Sequence, residues 1–200
     1  MKILRVINSL TIAGAERSVV GNVPYHIKNG FKVDILVLNG LKTFFLDEVI
    51  KEKINLIILG KNNNIYNPVL IFKICKIINK YDVIHVSLFP SLYWVAIAKF
   101  ITRSKTKLVY TEHSTNNARR GKYIFKWIDS FIYKQYDKLV AITPETKKNL
   151  IEHLIYKPDI VTIYNGVDLE KIKHEMNVNS NYLYHNKLIG KKKYSSDSKF

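Results

Sequence analysis

The stretch KILRVINSLTIAGAE at residues 2–16 decides the fold. Its first seven residues form a β-branched and apolar run that predicts a buried strand. The polar and small residues that follow lead straight into a segment with helical spacing, which ends at Gly30. The sequence predicts seven strands in all, because six more apolar runs repeat the pattern, at residues 31–38, 54–59, 82–86, 107–111, 138–142 and 160–164.

Helical segments separate these strands, and two of them carry clear start signals. Asn67-Pro68 precedes a helix predicted over residues 69–80, and Thr143-Pro144 precedes one over residues 145–153. Strands that are apolar on both faces and alternate with helices form a parallel sheet covered on two sides. Because such crossovers are right-handed, the pattern predicts a doubly wound, mostly parallel, Rossmann-like α/β fold.

The first helix, predicted over residues 15–29, contains one local conflict. Pro24 lies inside it and lacks the N–H that a helix interior needs. We therefore expect this helix to kink or to begin a second piece near Asn22.

The chain length bounds the domain organisation. The 200 residues, 47% of them hydrophobic, suffice for one substantial domain. Towards the end of the chain both periodic patterns stop, and Asn, Ser, Tyr and Lys dominate. We predict a Rossmann-like domain over residues 1–176 and a basic, poorly ordered tail over residues 177–200.

The charge balance is strongly basic. The chain has 32 Lys and Arg residues against 16 Asp and Glu, a formal net charge of +16. Such an excess favours a polyanionic partner, such as nucleic acid, anionic lipid headgroups or a phosphorylated substrate. The alternative is AT-rich coding DNA, which alone produces many Lys, Ile, Asn and Tyr residues.

Targeting and cysteine signals are sparse. No run of about 18 uncharged apolar residues occurs, and the first residues lack the apolar core of a signal peptide, so we expect a cytoplasmic chain. Cys75 is the single cysteine and lies in an apolar run with helical spacing. We interpret it as a core residue and expect neither a disulfide nor a cysteine metal site.

The loop after the first strand is a candidate ligand site, because doubly wound sheets bind ligands where the strand order reverses. It contains Ser9, Gly14, Ala15 and Glu16 and runs into a helix whose free N–H groups favour a phosphate. With Gly14 alone it lacks the G-x-G-x-x-G pattern, which disfavours a dinucleotide enzyme. A glycine at a helix start also occurs for packing alone.

Two further strand ends carry polar groups. The fourth strand contains His85, which we interpret as a packed core histidine, and ends at Ser87. The fifth ends in Glu112, His113 and Ser114, where His113 can orient or deprotonate a sugar hydroxyl or can be structural. Glu112 and His113 lack a third ligand, so we expect no bound metal.

Five segments together carry a family resemblance. Residues 12–17 resemble the glycine-glycine-x-glutamate loop of retaining, family-4-like bacterial glycosyltransferases of the GT-B fold. The segments 82–87, 111–114, 140–143 and 163–168 are similar to four later signatures of that family, in the same order and at the same spacing. The resemblance implies the N-terminal, acceptor-side half of a GT-B architecture.

The resemblance also implies roles for individual residues. Gly14 and Ala15 would approach the donor diphosphate, with alanine in place of one family glycine, and His113 would be the catalytic histidine. Asn165 and Gly166 would form the interdomain hinge. The remaining site residues would lie on the acceptor side: Ser9, Glu16, Ser87, Glu112 and Ser114.

The family's second domain, which binds the nucleotide sugar through an Arg/Lys pair and an E-x7-E motif, has no counterpart in this sequence. We therefore expect the C-terminal donor-binding domain to be absent. The alternatives are a non-catalytic acceptor- or membrane-binding half that pairs with a separate donor-binding chain, and an inactive truncated fragment.

A basic and aromatic segment follows the fifth strand. Its residues Arg119, Arg120, Lys122, Lys126 and Trp127 are typical of an anionic membrane surface, and peripheral attachment would suit a lipid-linked acceptor. A solvated helix face is the alternative. Nucleic acid is a rival partner, but no recognisable nucleic-acid module accompanies these residues, so we expect none.

The function that the resemblance implies is transfer of a hexosyl group from a nucleotide sugar to a glycan or lipid-linked acceptor in surface polysaccharide biosynthesis. The nucleotide sugar would be a co-substrate, and no cofactor would be bound.

Overall fold

The computed structural model describes most of the chain. The described residues are 1–11, 13–40, 43, 45, 49–50, 54–60, 64–115 and 122–166. The chain divides into two units, Met1–Asn165 and Gly166–Phe200, and all the described secondary structure belongs to the first. The predicted domain end at residue 176 and the predicted tail lie outside the described residues.

One parallel sheet organises the first unit. Its order is β3-β2-β1-β4-β5-β6-β7, and every neighbouring pair is parallel. The strands are β1 (Lys2–Ile7), β2 (Lys32–Asn39), β3 (Leu56–Gly60), β4 (Val83–Ser87), β5 (Lys107–Glu112), β6 (Lys138–Ala141) and β7 (Ile160–Thr162). This order confirms the predicted doubly wound, Rossmann-like sheet, and each predicted strand lies within two residues of an observed one.

Helices cover both faces of the sheet. They are α1 (Gly14–Lys28), α2 (Val69–Cys75), a short 3-10 helix (Ile78–Lys80), α3 (Ser91–Thr102), α4 (Tyr123–Tyr133) and α5 (Pro144–His153). The predicted start signals are confirmed by hydrogen bonds. Thr143 Oγ1 accepts from the N–H of Thr146 at 3.1 Å, and Asn67 Oδ1 accepts from the N–H of Val69 at 3.0 Å. No helix in the described ranges is long and apolar enough to cross a membrane.

Two helix predictions need correction. Helix α1 continues through Pro24 and begins no second piece near Asn22, because Val20 and Val23 bury its apolar face against the sheet on either side of the missing hydrogen bond. The helix predicted over residues 69–80 ends at Cys75, and a 3-10 turn then buries Ile78. Cys75 itself is half-buried at the edge of the core.

The core has two layers, one on each face of the sheet. Leu4 and Val6 of β1 pack in the layer under α2 to α5, whereas Ile3 and Ile7 pack in the layer under α1. This alternation follows from the period of two along a strand. Arg5 lies between Ile3 and Ile7 in sequence and therefore points to the α1 face, where a charged side chain is unexpected.

Candidate functional site

The loops after β1 and β4 meet at the point where the strand order reverses, as the sequence predicted. Asn8 joins them. Its Nδ2 donates to the carbonyl of Phe89 at 2.6 Å, and its Oδ1 accepts from the hydroxyl of Ser91 at 2.7 Å and from the N–H of Ser91 at 3.2 Å. One amide side chain thus fixes both walls of the cleft, with Ser9 half-buried beside it.

The N-terminus of α1 opens onto this cleft. No side chain caps it, because the N-cap residue is Ala13, with φ −138° and ψ 173°. That extended conformation suits any residue, and neither Gly14 nor Ala15 has a positive φ. Alanine in place of a family glycine therefore causes no strain here. The first N–H groups of α1, with the positive end of the helix dipole, are placed to bind an anion.

Glu16 lies one turn into α1 and is buried. Its Oε1 accepts from the hydroxyl of Thr11 at 3.0 Å, which closes the loop after β1. Its Oε2 has no hydrogen-bond partner within the described parts of the chain. A buried carboxylate oxygen without a donor is costly, so it indicates a place for a ligand hydroxyl.

The loop after β4 is strained and polar. Ser87 is fully buried, yet its Oγ has no partner among the residues that the structure describes. The next residue, Leu88, has φ 69°, a left-handed conformation that costs a bulky residue about 1–3 kcal/mol. Strain of this kind persists where the surroundings hold the backbone in place, and here Asn8 holds the carbonyl of Phe89.

His113 follows β5 at the same edge of the sheet. Both of its ring nitrogens are shielded from solvent, and neither has a hydrogen-bond partner in the described residues. Burial lowers the pKa of His113 to about 4, and the charge of Arg5 lowers it further in the same direction. At neutral pH the ring is therefore neutral, with one N–H donor and one acceptor nitrogen available to a ligand.

Glu112 points away from His113 and anchors the loop after β5. Its Oε2 accepts from the hydroxyl of Tyr133 at 2.8 Å, and its Oε1 accepts from the N–H of Ser114 at 3.1 Å. Asn149 Nδ2 donates to the carbonyl of Thr115 at 2.8 Å and holds the same loop from α5. Glu112 thus contacts the site through the backbone, whereas Ser114 lies half-buried next to His113.

A chain of hydrogen bonds that the sequence reasoning missed lies beneath this cleft. Nη1 of the buried Arg5 lies 2.5 Å from Nδ1 of His85, whose Nε2 lies 2.7 Å from Thr111 Oγ1. Because a guanidinium only donates, Nδ1 accepts and the neutral ring carries its proton on Nε2. His85 is therefore a bonded interior histidine, consistent with its prediction as a packed residue.

Burial lowers the pKa of Arg5 to about 10, and within the described residues no carboxylate pairs with it. Its Nε also has no partner there. The signal in the sequence was a single charge inside the apolar run of β1. The α1 face of the sheet is therefore electropositive beneath the cleft.

The other predicted residues lie elsewhere. Asn165 and Gly166 are exposed after β7. Arg119 and Arg120 lie outside the described residues, while Lys122, Lys126 and Trp127 belong to α4 or its N-cap, in the layer opposite α1. No group of three His, Cys, Asp or Glu side chains within the described ranges could hold a metal ion.

The family assignment rests on the sequence as a whole. Residues 12–171 match the sequence model of Glycosyltransferase Family 4. The chain belongs to glycosyltransferase family 4. The family resemblance predicted from five short segments is thereby confirmed. No functionally curated protein matches this family 4 chain significantly.

Solved structures share the fold of this family 4 chain. Anabaena Alr3699/HepE, in complex with UDP and glucose, matches with a TM-score of 0.67 and 21% identity over 85% of this chain and 46% of its own. A glycosyltransferase from Rickettsia africae ESF-5 matches with 0.64 and 23% over 90% and 49%. The lipopolysaccharide outer core galactosyltransferase WaaB, in its apo form, matches with 0.61 and 14% over 84% and 47%. The chain spans about half the length of these GT-B proteins.

Proposed function

We propose that this chain supplies the acceptor-side wall of a glycosyltransferase, which transfers a hexosyl group from a nucleotide sugar to a glycan or lipid-linked acceptor in surface polysaccharide biosynthesis. The observation that carries the proposal is His113, whose two buried ring nitrogens have no partner in the described residues. It stands at the same sheet edge as the uncapped N-terminus of α1.

The amides of Gly14 and Ala15 would receive the donor diphosphate. A diphosphate is an anion, and the free N–H groups and dipole of α1 offer it hydrogen bonds without a side-chain competitor. Arg5 adds positive potential from beneath the sheet edge. These charges stabilise the leaving diphosphate, and we propose that transfer needs no bound metal or other cofactor.

His113 would orient the acceptor hydroxyl and the transferred sugar. A ring with a pKa of about 4 is a weak base at neutral pH, so hydrogen bonding is favoured over proton abstraction by this imidazole. The free oxygens of Glu16 and Ser87 offer a hydroxyl acceptor and a hydroxyl donor on the same side. Ser9 and Ser114 line the flanking loops, and Glu112 positions the backbone of Ser114.

The relatives support the general chemistry. HepE is described in complexes with UDP, with UDP-glucose, and with UDP and glucose, and WaaB is a galactosyltransferase of the lipopolysaccharide outer core. A donor-binding half is needed in addition to this chain, because the chain covers about half of each relative. Asn165 and Gly166 would lead towards that half.

A transfer assay tests the proposal. The chain is joined to the donor-binding half of HepE and incubated with nucleotide sugars carrying radiolabelled hexoses and with lipid and glycan acceptors. We expect transfer by the wild type and a loss of about 100-fold or more with His113→Ala. His153→Ala, in the opposite layer, reports stability effects alone. Equal turnover by wild type and His113→Ala would exclude the proposed role of this side chain.

A further inference from the structure

Helix α4 has its polar side inside and its apolar side outside. Asp129, 1% exposed, accepts a hydrogen bond from Tyr93 Oη and lies 2.7 Å from His153 Nε2. Ser130 Oγ accepts from the N–H of Ile155 at 2.9 Å, and Tyr133 donates to Glu112. These buried hydrogen bonds fix the rotation of α4 about its axis.

The solvent side of α4 is correspondingly apolar. Its exposed residues are Tyr123, Ile124, Trp127, Ile128 and Phe131. The neighbouring α3 adds Phe100 and Ile101, and the rings of Phe100 and Phe131 pack edge to face with centroids 5.3 Å apart. We call these seven residues the α3–α4 face. Exposure of Tyr123 reaches 76% and that of Ile124 reaches 66%, which burial in the core does not explain.

Cations border the α3–α4 face without exposed acids among them. Lys122, Lys126 and Lys134 lie on or next to α4, and Arg103 ends α3. The single carboxylate of the two helices is Asp129, which is buried and bonded. A surface of aromatic and aliphatic groups bordered by unopposed cations complements an apolar layer that carries negative charge at its boundary.

The α3–α4 face begins at the same edge of the sheet as the candidate site. In a parallel sheet the chain leaves a strand at its carboxyl end and the crossover helix returns antiparallel to it. The N-terminus of α4, with Tyr123 and Ile124, therefore lies towards the edge that carries His113. A surface bound through these residues would lie near the acceptor side of the cleft.

We infer that the α3–α4 face binds the surface of a bilayer that contains anionic lipids. Helix α4 lies in the plane of the headgroups, with Trp127, Ile124 and Phe131 among the acyl chains and Lys122 and Lys126 at the lipid phosphates. A second copy of the chain fits less well, because two such faces would bring like charges together without opposing carboxylates. The binding itself needs no transfer chemistry; its benefit for a lipid-linked acceptor rests on the proposed function.

Vesicle co-sedimentation of the full chain tests the inference. The probes are phosphatidylcholine vesicles with and without phosphatidylglycerol. We expect binding to the anionic vesicles, weakened by salt, and a roughly tenfold or greater loss of affinity with Ile124→Ser combined with Phe131→Ser. Both side chains are exposed, so the double variant keeps its fold. Ile27→Ser, an exposed isoleucine on α1 in the opposite layer, is the matched control and should bind like the wild type.

Trp127 provides an independent reading of the same event. The chain has two tryptophans, and Trp94→Phe leaves Trp127 as the only one. We expect its emission to shift to shorter wavelength with anionic vesicles and to be quenched by brominated lipids. Absence of binding, equal binding by wild type and the double serine variant, or a dimer that the double variant dissociates would each overturn the inference. A chain without transferase activity would still bind, which separates this result from the proposed function.

Discussion

The guanidinium of Arg5 lies 2.5 Å from the imidazole of His85, in register across the central strands β1 and β4. A buried cation bonded to a neutral ring is unusual, because burial penalises the charge and the ring does not compensate it. Arg5 also lowers the pKa of His113, so the pair influences the polar groups at the carboxyl edge of the sheet. The positive potential beneath the cleft has its source in this relationship.

Replacing Arg5 by methionine should raise the pKa of His113. Arg5 lowers that pKa now, after the larger effect of burial, so its removal leaves burial alone to act. The measurement is a pH titration of the His113 ring resonances by NMR. Arg17→Met removes an exposed arginine from α1 and should leave the titration unchanged. An unchanged or lower pKa in Arg5→Met would contradict the electrostatic link. The methionine should cost little stability, because no carboxylate in the described residues loses its partner.

Stability should fall as the pH decreases from 6.5 towards 4. Burial lowers the pKa of both His85 and His113, so the unfolded chain binds more protons than the folded chain in this interval. For His113 alone the loss by pH 5 is on the order of 1–2 kcal/mol. Urea unfolding at pH 7.5, 6 and 5 measures it, and His113→Asn should flatten part of the slope. A stability that stays constant over this range would show that neither ring is held neutral by the fold.

Asn8→Ala should loosen the cleft without unfolding the sheet. It removes the hydrogen bonds to Phe89 and Ser91 and leaves their backbone groups without this partner, which costs about 1–3 kcal/mol. Chemical denaturation gives the loss, and amide hydrogen exchange shows whether it is concentrated in the loop after β4. Asn22→Ala is the matched control, since Asn22 is exposed on α1. Equal effects of the two substitutions would rule out a special role for Asn8.

Tyr133→Phe should act on the loop after β5 through Glu112. The substitution removes the hydroxyl that donates to Glu112 Oε2 and leaves a buried carboxylate with one donor fewer, at a cost of about 1–3 kcal/mol. We expect altered NMR shifts at His113 and Ser114, although Tyr133 packs in the opposite layer of the core. Tyr123→Phe, at the exposed end of α4, serves as the comparison. Unaltered shifts at His113 would mean that Glu112 does not position the loop.

The sequence predicted the sheet well because each strand is a continuous apolar run, which is what burial on both faces requires. It also placed His113 and Gly14 correctly at carboxyl ends of strands, since alternation fixes the topology. Arg5 and Asn8 escaped notice because their partners lie some 80 residues away, and no local pattern reports such contacts.

Helix α4 escaped a full reading for the same reason. Its period predicts an amphipathic helix, but which side faces the core depends on the partners of Asp129, and these come from α3 and α5. The end of α2 at Cys75 was equally hidden, because the 3-10 turn that follows is set by the burial of Ile78.

The most direct test of the candidate site is an NMR titration of the isolated, isotope-labelled chain with UDP-glucose and with pyrophosphate. We expect weak binding, because the donor-binding half is a separate part of the enzyme, with shifts confined to the amides of Gly14, Ala15 and Glu16 and to the ring of His113. His113→Ala should leave the α1 amide shifts in place. Shifts centred away from the carboxyl ends of β1, β4 and β5, or none at any of these groups, would contradict the placement of the active site.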